Sequence, residues 1–100
     1  MYPSQREWAA EELSELNWRM QPKVVESLVK GAQDDPAASV RAACVRALRH
    51  MKVNTQEVVT LVQDLKNDRD ARVRQEAGET LNALGVAPRQ DSDVQQASHK

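Results

Sequence analysis

Few side chains in this sequence have the type and spacing to do chemistry. Cys44 is its only cysteine and, by type, a nucleophile. Arg41 and Arg74 stand in the same local phrase and could each grip a phosphate. Arg41, Arg46, Arg49, His50 and Lys52 form a basic group of the kind that meets nucleic acid, and His50 and His99 are the two histidines. Each has a plainer reading. One cysteine excludes an intramolecular disulfide and a thiolate metal cluster. Neither histidine has Cys or carboxylate neighbours at metal-ligand spacing, and His50, beside Arg49 and Lys52 at a helix C-terminus, suits the helix dipole. No nucleophile has a base at a credible spacing, no glycine-rich loop cradles phosphate, and no carboxylate pair stands out from ordinary helix surface. The expectation is no catalytic residue, no cofactor, no metal ligand and no enzyme.

What must position these residues is a small chain. At 11.2 kDa it is one domain near the lower end of what buries a self-sufficient core. Its apolar set is Ala, Val and Leu, with no Phe and three aromatic residues, so the core must come from small side chains at close helix contacts. A net charge of −1 gives no global attraction for nucleic acid or anionic lipid, and acids are interleaved with the basic group. No apolar run approaches the roughly 20 residues of a membrane helix, "MYPSQREW" lacks signal-peptide order, and the lone thiol fits a reducing compartment. The localisation expected is cytoplasmic, with no membrane partner.

Periodicity predicts five helices. Ser4 and Glu7 read as a capping box opening the first, with Ala9, Leu13 and Leu16 as its stripe and an end near Asn17. Pro22 opens the second, through Val24, Val25, Leu28, Val29 and Ala32, with Gly31 weakening its last turn. Asp35 as cap and Pro36 as first residue open the third, through Val40, Cys44, Ala47, Leu48 and Met51. Asn54 and Glu57 open the fourth, carrying Val58, Leu61, Val62 and Leu65 inward; Asp68 or Asp70 opens the fifth, with Val73, Ala77, Leu81 and Leu84, and Gly85 stops it. The stretch "RQDSDVQQASHK" has one sizeable aliphatic residue and reads as a flexible tail.

The phrase "DPAASVRAACVRAL" returns as "DRDARVRQEAGETL". A shift of 33 places Asp35 on Asp68, Val40 on Val73, Arg41 on Arg74 and Leu48 on Leu81, while Val25, Leu28, Val29 and Ala32 fall on Val58, Leu61, Val62 and Leu65. A fainter copy places Arg6, Ala9 and Leu13 a further 35 residues upstream. Cys44 thus shares a slot with Ala9 and Ala77, which reads as a buried small hydrophobe. Trp18 matches Val53 and reads as a plug for the turn; Trp8 matches Ala43 and Glu76, and either covers the end of the stack or marks a contact site.

Carried by Asp35, Val40, Arg41, Ala43, Ala47 and Leu48, and by Asp68, Val73, Arg74, Ala77 and Leu81, this pattern resembles the HEAT repeat family, in its short, phycobilin-lyase-like variety. The resemblance implies an all-α fold: a right-handed α-solenoid of antiparallel helix pairs, about two and a half repeats in five helices, over residues 1–85, with 86–100 as the tail. It implies structural bridges between Arg41 or Arg74 and Asp35 or Asp68. It also implies that the second helices line the inner curve and offer Lys23, Glu26, Ser27, Lys30, Gln56, Thr60, Gln63 and Asp64 to a protein or peptide. The function expected is a non-catalytic interaction or scaffolding module, a fragment or small member of a HEAT-repeat protein. The alternatives are a bilin-lyase-related enzyme or subunit and a weak nucleic-acid-binding solenoid; the resemblance also raises Cys44 as a bilin attachment site. The fifth helix has no partner helix in this scheme. Either it is a cap kept wet by Arg72, Glu76, Glu79 and Asn82, or that end continues a longer array or self-associates.

Overall fold

A computed structural model describes residues 1–87, and among them there are five α-helices and no strand: α1 (Pro3–Leu13), α2 (Pro22–Asp34), α3 (Ala38–His50), α4 (Gln56–Leu65) and α5 (Ala71–Ala83). The core positions follow the helical period. Val24, Val25, Leu28, Val29 and Ala32 of α2, Val58, Leu61, Val62 and Leu65 of α4, and Val73, Ala77 and Leu81 of α5 are all buried. The most enclosed element is α3, which buries eight consecutive or nearly consecutive residues from Val40 to Leu48. A helix buried on nearly all sides needs neighbours on nearly all sides. It has them: α1 and α5 flank it and α2 lies along it.

Three helix starts depart from expectation by one or two residues, whereas α2 begins at Pro22 and α5 after Asp70 as expected. Tyr2 precedes α1, and the Gln5 side chain reaches back to accept its N–H at 2.9 Å, so the Ser4–Glu7 capping box does not form. Pro3 at the first position, with φ preset, moves the start forward. The helix also stops earlier, at Leu13, where the Ser14 hydroxyl bonds the Glu11 carbonyl at 2.6 Å; its fully buried residue is Ala10, Leu13 packs partly buried against the core, and Leu16 is exposed. Before α3 the cap position is Ala37, with Pro36 outside; the Asp35 carboxylate accepts the Ala37 N–H at 2.9 Å and shapes the turn instead. Thr55, rather than Asn54, caps α4 by accepting the Val58 N–H. Asp70 caps α5, and Asp68 in turn accepts the Asp70 N–H at 2.9 Å.

Two helix ends are built alike, 33 residues apart. Val53 N–H donates to the Leu48 carbonyl and Lys52 N–H to that of Arg49; Val86 N–H donates to Leu81 and Gly85 N–H to Asn82. This is the Schellman closure, which needs one left-handed residue. Gly85 supplies it at φ 71° and Lys52 at φ 57°. Each closure turns a valine back onto the core, Val53 fully buried and Val86 partly so. Most of the expected tail, residues 88–100, lies outside the described residues.

The packing corrects one expectation. The fifth helix is not without a partner: α4 lies along α5, as α2 lies along α3, and α2 touches α4 less extensively. The helix with no such companion is α1, which packs chiefly on α3. Linker length explains part of this. Only Asp35–Ala37 separate α2 from α3, which keeps them adjacent and antiparallel, whereas Ser14–Gln21 lets α1 and α2 diverge.

Candidate interaction surface

The repeated arginines form a ladder between successive helices. Arg6 on α1 holds Asp35 with both arms of its fork, Nε to Oδ2 at 2.7 Å and Nη2 to Oδ1 at 2.9 Å. Arg41 on α3 holds Asp68 the same way, at 3.0 and 3.1 Å, and its Nη1 donates to the Asp35 carbonyl at 2.8 Å. Arg74 repeats that last contact, donating to the Asp68 carbonyl at 2.8 Å, and is exposed. The Arg41 charge, only 4% exposed, is tolerable because two carboxylate oxygens and a carbonyl satisfy its donors. The Arg6 fork holds Asp35 below the usual carboxylate range. Burial pushes Asp68 upward, but Arg41 and the Asp70 N–H together outweigh it and leave Asp68 lowered. Arg72 and its backbone N–H bring Asp70 down to about 2.

A second set of charges closes the same α3–α5 contact. Arg49 reaches Glu76 at 2.8 Å and Arg46 reaches it at 3.2 Å, while Arg49 also meets Thr80 Oγ1 at 3.3 Å. Glu76 is therefore half-buried at a helix contact, not part of a wet outer side. Arg49 and Glu76 are separated by the same 27 residues as Arg41 and Asp68. Of the basic group, Arg41, Arg46 and Arg49 are committed to carboxylates, and exposed His50 lies 3.4 Å from Glu15. Within that group only Lys52 projects as a plain exposed cation. His99 lies outside the described residues.

Cys44 is buried where α2 meets α3. A Cβ on Gly31 would lie 2.6 Å from its sulfur, so the small residue opposite is what admits the thiol. Burial, with Asp35 nearby, pushes that thiol up to about 11, which keeps it protonated and unreactive near neutral pH. An open depression of about 570 Å³ lies beside the ladder, lined by Gln33, Asp34, Asp35, Arg41, Asn67 and Asp68 among others, but Arg41 and Asp68 already pair with each other and Asp35 with Arg6.

The outer faces of α2 and α4 carry the residues singled out for partner binding. Lys23, Glu26, Ser27 and Lys30, and Gln56, Thr60 and Asp64, are exposed, and Gln63 is half-buried. The period pairs Lys23 with Gln56, Ser27 with Thr60 and Lys30 with Gln63, in two rows on two adjacent helices. Gln56 Nε2 donates to Thr60 Oγ1 at 3.1 Å, bracing that row.

Five helices stacked at a 33-residue period, with an Arg–Asp ladder between successive first helices, point to one architecture. Residues 25–98 match the family profile described as HEAT repeats. The chain belongs to the HEAT repeat family. No curated protein and no solved structure matches it significantly. HEAT repeats form α-solenoids and typically mediate protein–protein interaction, and members of the family are generally non-catalytic. No helix among the described residues is long and apolar enough to cross a membrane.

Proposed function

We propose that this HEAT-repeat chain is a non-catalytic protein–protein interaction or scaffolding module, acting in the cytoplasm. The proposed receiving face for protein or peptide is the paired outer surfaces of α2 and α4. The observation behind it is that two equivalent rows, Lys23, Ser27, Lys30 and Gln56, Thr60, Gln63, lie at one period on neighbouring helices outside the core. Their charges are mixed and their hydroxyls and amides both donate and accept, which suits a polypeptide backbone better than a polyanion. Nucleic acid is disfavoured because Arg46 and Arg49, the obvious phosphate contacts, are held on Glu76. A bilin-attachment role for Cys44 is disfavoured by its burial and raised pKa.

The test is a photo-crosslinking residue placed in turn at Ser27, Thr60 and, as control, Gln75. The expected result is one and the same polypeptide captured from Ser27 and Thr60 and not from Gln75. Capture of nucleic acid, or equal capture from all three sites, overturns the proposal.

A further inference from the structure

The large hydrophobic side chains exposed among the described residues all fall in the first 20 positions: Met1, Tyr2, Trp8, Leu16 and Met20. They run from one end of α1 to the loop after it, around the helix that lacks a lengthwise companion. Trp8 is the central one. Ala10 marks the side of α1 that meets α3, and Trp8, two residues earlier, lies roughly 160° round the helix from it, 62% exposed. The face at the opposite end of the stack is unlike this one. On α5, Gln75 bonds Glu79 at 3.0 Å, Arg72 pairs with Asp70 at its N-terminus, and no large side chain is apolar and exposed. An outward tryptophan among such residues marks a contact site.

The charge around it selects the occupant. Glu11 and Glu12, one turn after Trp8, are exposed carboxylates; Glu15 beyond them meets His50, and the single arginine of α1, Arg6, is committed to Asp35. An anionic lipid surface or a nucleic acid is repelled there. A second copy in two-fold contact sets Glu11 and Glu12 against themselves, and in head-to-tail contact it meets the polar face of α5. We propose that the outer face of α1, centred on Trp8, binds a basic amphipathic helix of a partner protein. Its apolar residues would lie on Trp8, and its Lys or Arg side chains would reach Glu11, Glu12 and the indole face. This rests on the reading of the chain as an interaction module and assigns it a second surface, distinct from α2 and α4.

The probe is a synthetic Leu/Lys amphipathic peptide of about 18 residues, with a Leu/Glu peptide of the same pattern as control. It is titrated into the full chain by calorimetry and mapped by amide NMR. The expected result is binding of the Leu/Lys peptide alone, with shifts gathered on Glu7–Glu12. Trp8→Ala, at an exposed site, should keep the melting curve and weaken binding roughly tenfold or more. The Glu11→Gln/Glu12→Gln pair should weaken it a few-fold and flatten its salt dependence. No binding, equal binding by Trp8→Ala, equal binding of the Leu/Glu peptide, or a dimer of the chain alone that buries Trp8 each overturns the proposal. Shifts on Lys23, Ser27 and Thr60 instead remove the α1 surface and leave the interaction-module reading intact. Loss of that reading is reported separately, by the crosslinks from α2 and α4.

Discussion

The α2–α3 and α4–α5 hairpins share a backbone plan and differ in the side chains that realise it. In both, an arginine of the first-type helix donates to a carbonyl six residues upstream, and a Schellman closure returns a valine to the core. In α2–α3 the close contact is Gly31 opposite Cys44; the residues one period on are Asp64 and Ala77. The rungs differ too. Asp35 receives the half-exposed Arg6, and Asp68 receives the buried Arg41. The Arg–Asp rung is therefore what recurs inside this chain, and burial decides how much each one contributes to holding the stack.

Breaking the two rungs should expose that difference first. Arg41→Ala leaves the Asp68 carboxylate in a closed contact and should cost about 3–5 kcal/mol in chemical denaturation. Arg6→Ala, on a rung open to water, should cost about 1 kcal/mol or less. A loss for Arg6→Ala equal to that for Arg41→Ala would remove burial as the deciding factor. The same rungs can be read through protons. Asp35 and Asp68 have folded pKa values below their unfolded ones. Their contribution is thus complete above the unfolded value near 4, and it is lost as pH falls through the folded values. Urea midpoints should decline below about pH 5. Asp68→Asn should flatten that decline.

The Gly31–Cys44 contact offers a sign reversal. Gly31→Ala pushes a methyl into the Cys44 sulfur and should destabilise by about 1–2 kcal/mol. In a Cys44→Ala background the collision is gone, and the same change should instead stabilise by up to about 1 kcal/mol through helix propensity. Destabilisation in both backgrounds would mean that backbone, not the thiol, sets the spacing. The smallest effect sharpens the comparison of helix ends. Lys52→Gly should raise stability by about 1 kcal/mol, because φ 57° strains a residue with a Cβ, and Gly85→Lys should lower it by a similar amount. Thermal melts of the two variants should shift in opposite directions.

The repeat made much of this legible. Val40 and Val73, Leu48 and Leu81, and the α2 and α4 apolar rows could be identified as core because a 3.6-residue stripe recurring at a fixed interval has few other physical explanations. Helix starts were less legible. Ser4, Asn54 and Asp35 all have side chains that can cap, and which one does depends on where neighbouring backbone is held. The α2 and α4 outer row was readable as exposed surface, since period alone separates outside from inside. The acidic Glu76 was not readable as an interhelical clamp without the stagger between α3 and α5.

Sequence alone determined that the chain is helical, that its unit repeats, and which stripe of each helix must leave water. Those follow from local dihedral preference and from the cost of exposing apolar surface. Tertiary structure decided which helices lie side by side, that α1 and not α5 lacks a lengthwise companion, and which carboxylate each arginine holds. Such choices depend on distances between residues some 30 positions apart, and these are set by how all five helices pack at once.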